Sequence, residues 1–361
     1  MANEGDTMDT GITETAGTAL VAAQWLGKVQ QLVTLAGVYL EGEKSENTRL
    51  LYLRYFGEYA HFAGDVGALW EPSTLERWKA HLFKTGYMVN GARHDFTVNA
   101  LNSKLAAVRS VVNQFEKKGH LPAGTHDRFR KQVDNYKLKA NKERRKASAR
   151  VRIQPEEMDA LCSAPGKFAN GHGAALMHTA LLRTLRHTGA RISEVVNMKR
   201  TDLEEYTNEN GATSWTVFVM GKNETAPARV ELGSKAKRAI DAWLEYRDNM
   251  LGVTSQYVFT GFRGRGDREP SGKPISRMSA WELVKRYTDK VAGAYEREGQ
   301  AERAARLRTV KPHDFRRYTA TELLKAHGLR RAQQQTRHKS ADTLLKHYAM
   351  DDLELGQVDG L

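Results

Sequence analysis

Residues 128–152 carry 11 Lys/Arg against 2 Asp/Glu and few apolar side chains. A stretch of that composition cannot bury a hydrophobic face, so it cannot contribute to a packed core. It divides the 361-residue chain into two regions that must each build their own core, and the length suffices for both. The pattern predicts a disordered leader over 1–18, a first domain over 19–127, a basic linker over 128–152 and a second domain over 153–361.

The same stretch holds most of the chain's formal charge of +13, which arises from 56 Lys+Arg against 43 Asp+Glu. A strongly basic chain favours a polyanionic partner, most simply nucleic acid, although a basic surface alone does not require one. A basic linker is well suited to crossing a DNA backbone, because each Lys or Arg displaces a condensed counterion. Arg144, Arg145, Lys146, Arg150 and Arg152 are its candidate DNA contacts. The one cysteine, Cys162, excludes an internal disulfide and any Cys-rich zinc site. It lies in an apparent helix and reads as packing. No apolar run approaches the ~20 residues of a membrane span. The acidic, Thr/Gly-rich N-terminus is unlike a signal peptide. These points lead to an expected place in the cytoplasm, associated with the nucleoid, and to no membrane partner.

The first domain reads as helical. Ser45-Glu46-Asn47 opens one helix and Pro72-Ser73 opens another. Thr97 to Lys118 carries Leu101, Leu105, Val108, Val111, Val112 and Phe115 on one stripe at helical spacing. In the second domain, Pro155-Glu156-Glu157 suits a first helical turn, and His172 to Arg186 reads as a helix. Trp215 to Met220 and Ala228 to Leu232 read as the two strands of a hairpin around Gly221–Thr225. A helix over Lys235–Asn249, a Gly/Arg loop over Arg263–Lys273, and further helices from Ser276 onward complete the reading. The fold class expected is mainly α with a small antiparallel β-sheet.

Chemistry concentrates near the C-terminal end. His313-Asp314-Phe315-Arg316 is followed by Arg337-His338 and then Tyr348. An isolated tyrosine is a poor nucleophile, with a pKa near ~10. Beside histidines and cationic groups it becomes a candidate to attack a phosphodiester. His313 and Arg316 lie three apart after Pro312, so on a helix they share a face. Upstream, Arg191 falls at a helix junction set by Gly189, with Glu194 placed to brace its guanidinium. A fork of donors there suits a phosphate, though by itself it is equally a surface arginine. Lys222 sits at the hairpin tip, either merely solvated or able to protonate a leaving alkoxide. Tyr318 is a rival nucleophile by composition.

Taken together these residues resemble the tyrosine recombinases of the phage integrase family, the group of lambda integrase, Cre and the Xer recombinases. Thr188-Gly189-Ala190-Arg191-Ile192-Ser193-Glu194 is similar to its first arginine box, and His313-Asp314-Phe315-Arg316 to its second. Arg337-His338-Lys339-Ser340 and His347-Tyr348 resemble the last two elements, and Lys222 the hairpin lysine. The order and distances of all five carry the resemblance, which extends from about residue 20 to the end. Two departures stand out. The family usually has Leu-Gly before its second histidine, where this chain has Thr336-Arg337. Its usual histidine-to-tyrosine interval is nine, which here would select Lys339 rather than His338.

The resemblance implies a two-domain C-shaped clamp, a helical core-binding domain followed by a mixed α/β catalytic domain, on double-stranded DNA with a specific target site. It implies strand cleavage and rejoining through a 3′-phosphotyrosine at Tyr348, without metal, ATP or other cofactor. Arg191, Arg316, His313 and His338 would hold the phosphate, and Lys222 would protonate the leaving 5′ oxygen. Four protomers on two sites are implied for recombination. Two other readings are a type IB topoisomerase, which shares this constellation, and a recombinase-derived DNA-binding regulator. An RNA-binding module lacks its usual aromatic signature here.

Overall fold

The computed structural model describes residues 10–136, 152–211, 213–221, 226–262, 270–338 and 340–348, with the backbone only at 10–23, 343 and 346–348. The chain divides into two units, Met1–Ser148 and Ala149–Leu361. Among the described residues no helix is long and apolar enough to cross a membrane.

The first unit is built from helices α1 (Thr10–Tyr39), α2 (Glu46–Ala63), α3 (Val66–Leu69), α4 (Pro72–Thr85), α5 (Val98–Lys117) and α6 (Thr125–Gln132). Their starts follow local chemistry. Pro72 occupies the first turn of α4, where its missing N–H costs nothing. Thr97 caps α5 by accepting from the Ala100 amide at 3.1 Å. The expected stripe of α5 is the buried one, from Leu101 to Phe115, and it packs against α1, α2, α4 and α6. Phe56, Tyr59, Leu75 and Trp78 complete this core, and the Tyr59 hydroxyl is satisfied by the Leu69 carbonyl at 2.9 Å.

Three features of this unit differ from the sequence expectations. Residues 10–18 of the expected disordered leader are the first turns of α1. A helix anchored further along by Trp25, Ala36 and Leu40 extends at little cost per residue once nucleated. Residues 1–9 lie outside the described residues. Residues 128–136 of the expected linker are folded here: α6 runs through Gln132, and Phe129 and Val133 are buried in the first core. Two well-placed apolar side chains suffice to dock an otherwise charged segment. Finally, a short hairpin joins α4 to α5. Strands β1 (Tyr87–Val89) and β2 (Ala92–His94) pair antiparallel across Asn90-Gly91, both at positive φ.

The second unit centres on α8 (His172–Thr188). It packs against α7 (Pro155–Phe168), α10 (Ser234–Glu245) and α13 (Pro312–Thr336). Met177, Leu181, Leu182 and Leu185 fill its core. Cys162 is buried there too, and burial pushes its thiol up to about 11, in keeping with a packing role. The expected hairpin is the larger part of a three-stranded antiparallel sheet, β3 (Leu203–Thr207), β4 (Thr213–Val219) and β5 (Ala228–Glu231), in that order. Leu203 and Val230 both pair with Val217. The edge of β5 is closed by one side chain: Gln335 accepts from the Glu231 amide at 3.0 Å and donates to its carbonyl at 2.6 Å. The helix expected over 235–249 ends in a π-helical turn at Tyr246–Met250. There the buried Arg247 guanidinium donates to the carbonyls of Tyr257 and Val258. A further strand pair, β6 (Thr260–Phe262) and β7 (Pro270–Pro274), flanks residues 263–269, which lie outside the described residues. Helices α11 (Arg277–Arg297) and α12 (Ala301–Leu307) lead into α13, and α14 (Ala341–Tyr348) closes the described chain.

Candidate active site

Four of the expected site residues, Arg191, His313, Arg316 and His338, come from three segments that meet beside the C-terminal end of α8. Gly189 ends α8 at φ +60°, where a Cβ would stand 3.2 Å from the Thr336 methyl and 3.3 Å from Thr319. Glycine is therefore needed twice over, for the left-handed backbone and for the close approach of α13. The chain turns at once into the short helix α9 (Ile192–Val196), with Arg191 at its N-cap.

Glu194 organises this corner. Its carboxylate accepts the Arg191 amide at 2.7 Å, Arg191 Nη1 at 2.9 Å and Arg337 Nη2 at 2.5 Å. The Glu194 side chain is only 4% exposed, whereas Arg191 is 44% exposed. Burial pushes the Glu194 carboxyl up, but the Arg191 amide and the two guanidiniums outweigh it and hold the group below the usual carboxylate range. It is a fixed anion under a cation that faces outward.

Arg316 lies on the first half of α13 and is 1% exposed. Its guanidinium donates to the Gly189 carbonyl at 2.8 Å and to the Thr336 carbonyl. It thus ties the Arg191 junction to the end of α13. Its planar guanidinium offers five donors in a fixed fork, preorganised to reach two carbonyls at once. His313, one turn earlier, is on the exposed side of the helix. Partial desolvation of its ring, then Arg317, Arg316 and Arg191, hold the imidazole below its ordinary value, with Asp314 opposing. The depression favours the neutral imidazole at pH 7, and His313 stands on the same first half of α13 as Arg316, which ties that helix to Gly189.

His338 follows the end of α13. Its Nδ1 meets the Thr336 hydroxyl at 2.6 Å, and that hydroxyl donates its proton to the Ala332 carbonyl at 2.6 Å. The hydroxyl then accepts from the ring, which makes Nδ1 the protonated nitrogen of the neutral form. Gln333 holds the His338 carbonyl at 2.9 Å. Arg337 is left-handed, at φ 55° and ψ 47°, and α14 begins only at Ala341, so His338 and Tyr348 do not lie on one continuous helix. Leu344 packs α14 onto α13 through Ala320 and Ala332.

Tyr348 is the last residue of α14, and its side chain lies outside the described residues, as do Lys222, Lys339, Arg144, Arg145, Lys146 and Arg150. Arg152 is described and exposed. Tyr318 is partly buried against the Arg186 guanidinium, 5.6 Å from the ring centre, and burial raises its pKa. That is the wrong direction for a nucleophile. Sequence reasoning assigned no role to Thr336 or Arg337 beyond a departure from the family pattern, and none to Gln335. Their positions depend on a backbone reversal and on partners far away in sequence. A groove of about 600 Å³ opens beside Glu194, lined also by Ser193, Asn197, Lys199, Phe218 and Val219. Among the described residues no group of three His, Cys, Asp or Glu is placed to hold a metal ion.

Comparison with known proteins gives the family and the fold. The model of the phage integrase family matches residues 151–354, which include Arg191, Lys222, His313, Arg316, His338 and Tyr348. Tyrosine recombinase XerD of Chlorobaculum tepidum is 27% identical over 308 residues, covering 83% of this chain and 85% of that protein. XerD of Chlamydia pneumoniae is 27% identical over 176 residues, and there the match spans about half of each chain, 48% of both. Among solved structures, the XerH site-specific recombinase bound to a palindromic difH substrate superposes with a TM-score of 0.58 at 16% identity, over 87% of this chain and 77% of that one. At that identity the likeness is one of fold. With its arginine boxes, its late tyrosine and more than half its length matched by one family model, the chain belongs to the phage integrase family of tyrosine recombinases.

Proposed function

We propose that this protein cleaves and rejoins double-stranded DNA at a specific site through a covalent 3′-phosphotyrosine on Tyr348. The observation that carries the reading is the convergence of Arg191, Arg316, His313 and His338 on one corner, with Arg191 held outward by a buried carboxylate.

The chemistry follows from the charge that must be stabilised. The Tyr348 oxygen attacks phosphorus and displaces the 5′ oxygen, and the phosphorane passes through a more negative state. Arg191 meets the non-bridging oxygens directly. Arg316 adds its charge from beneath and fixes the backbone that carries Arg191 and His338. Neutral His313 is suited to accept the tyrosine proton, and Lys222 to return one to the leaving oxygen. The phosphodiester energy is kept in the phosphotyrosine. A 5′ hydroxyl can then reverse the step on the same strand or a new one, and neither ATP nor a metal enters the balance. The basic residues Arg144, Arg145, Lys146, Arg150 and Arg152 contact the DNA backbone, and four protomers act on two sites.

The test uses nicked suicide duplexes of randomised sequence, enriched by covalent capture with the wild-type protein. Wild type is expected to trap a protein–DNA adduct and Tyr348→Phe to trap none; equal trapping by both would remove Tyr348 as nucleophile. Changing the five basic residues to Gln is expected to leave the adduct chemistry intact but to flatten the salt dependence of binding, by about 0.9 in log–log slope for each phosphate no longer neutralised. An unchanged slope would take the segment off the DNA. Relaxation of plasmids lacking the enriched site would favour a topoisomerase instead.

A further inference from the structure

Among the described residues, Asn90 and Arg337 alone hold a positive φ without being glycine. Asn90 sits in an Asn-Gly hairpin turn, where that conformation is ordinary. Arg337 has no such excuse. A long side chain in the left-handed region is held there against its backbone preference. Its side chain is also 7% exposed, an unusual place for a guanidinium at the end of a helix. Strain and buried charge at one position call for a compensating role.

The bonds it makes supply one. Arg337 Nη2 binds Glu194 Oε2 at 2.5 Å, and Nη1 binds the carbonyl of Val219, the last residue of β4, at 3.2 Å. Arg191 binds the other carboxylate oxygen, Oε1, through Nη1. An arginine and a carboxylate left to themselves prefer a bidentate fork that uses both oxygens. Arg337 shares Oε2 with the Arg191 amide, and together they leave that oxygen no room for a second bond from the Arg191 guanidinium. Arg337 also draws on the negative charge that would otherwise cancel Arg191.

We propose that Arg337 is a positioning residue that keeps Arg191 available to the DNA phosphate by competing for Glu194, and that it thereby sets the rate of strand cleavage. Its second bond fixes the end of β4, from which the chain runs on towards Lys222. The proposal rests on reading this corner as a strand-cleaving centre, and the experiment separates the two.

The test is a cycle of Arg337→Gly, Glu194→Gln and the double variant on the enriched suicide duplex, with single-turnover trapping and DNA affinity both measured. Glycine relieves the backbone while removing the competitor. Arg337→Gly is expected to trap DNA roughly 10- to 100-fold more slowly at wild-type affinity, because Arg191 folds onto Glu194. Adding Glu194→Gln removes the charge that captures Arg191 while keeping an acceptor for its amide, so the double variant recovers most of the rate. A role confined to pinning the chain gives no recovery, since Glu194→Gln would only loosen the corner further. Wild-type trapping by Arg337→Gly, or no recovery in the double variant, overturns the inference and leaves the functional reading standing.

If wild type itself traps nothing, the functional reading fails. Inorganic phosphate then decides the inference on the DNA-free proteins. A phosphate-dependent rise in thermal midpoint that is lost in Arg337→Gly and restored in the double variant upholds it. An equal rise in all three, or none, overturns it.

Discussion

The two units handle buried charge in opposite ways. In the first, the described core is almost wholly apolar, and its buried cation, Lys104, lies over the Tyr55 ring at 4.3 Å and pairs with Glu58. That arrangement shields one charge inside a helical packing problem. In the second, guanidiniums are structural parts. Arg247 holds the backbone after the π-turn, Arg303 and Arg306 hold the buried Glu157, and Arg316 holds the carbonyls of Gly189 and Thr336. Around Arg191 the network faces outward, with that side chain 44% exposed over a Glu194 that is 4% exposed. The lesson is one of cost: buried charges rarely improve on apolar packing, so the second unit keeps its buried guanidiniums for the backbone groups and carboxylates they hold in place.

Arg316→Ala and Arg191→Ala should separate structure from catalysis most sharply. Arg316→Ala strips the bond donors from two buried carbonyls, so it should lower the stability of the second unit by about 3 kcal/mol and abolish trapping. Arg191→Ala should cut the trapping rate by roughly 10²–10³ while leaving chemical denaturation within about 1 kcal/mol of wild type. Equal stability loss in both would erase the distinction between buried frame and outward group.

A smaller effect concerns His313. Its depressed pKa means that the neutral base is formed below the ordinary histidine range, so cleavage should be flat near pH 7–8 and fall only in acid. Arg317 is the largest charge acting to depress it. Arg317→Gln removes that repulsion, the folded-state pKa rises, and the acid limb of the pH–rate profile should move to higher pH. A limb that stays in place would take the proton from some other group.

The smallest effect is expected in the first unit. Lys104→Met replaces a buried ion pair with an apolar chain of similar length, while Glu58 keeps contact with solvent. Stability should change by less than about 1 kcal/mol and cleavage not at all. A large loss in either would mean that the first core depends on charge as the second does.

Much of this was legible in the sequence because it rests on local rules. Ser45, Pro72, Thr97 and Pro155 each stand at the helix start they signal, and the stripe of α5 is buried as its spacing requires. Gly189 carried a local signal for the turn before Arg191, while the bonds of Arg316 to the Gly189 and Thr336 carbonyls reach far along the chain and had none. The hairpin at Asn90-Gly91 also carried a local signal, an Asn-Gly pair, but its strands are three residues long and exposed, too short for alternation to register. Strand β3 and the edge partner Gln335 could not be found that way, since each is defined by a neighbour far along the chain. The same holds for Arg337. The sequence marks it only as an arginine where the family has glycine, and its meaning appears once Glu194 is seen between two guanidiniums.

The most direct measurement is the identity of the residue bonded to DNA. The trapped adduct, digested with protease and nuclease and sequenced by mass spectrometry, should carry a nucleotide 3′-phosphate on the peptide containing Tyr348. A nucleotide on the Tyr318 peptide, or a 5′-phosphate linkage at Tyr348, would contradict the mechanism proposed for this site.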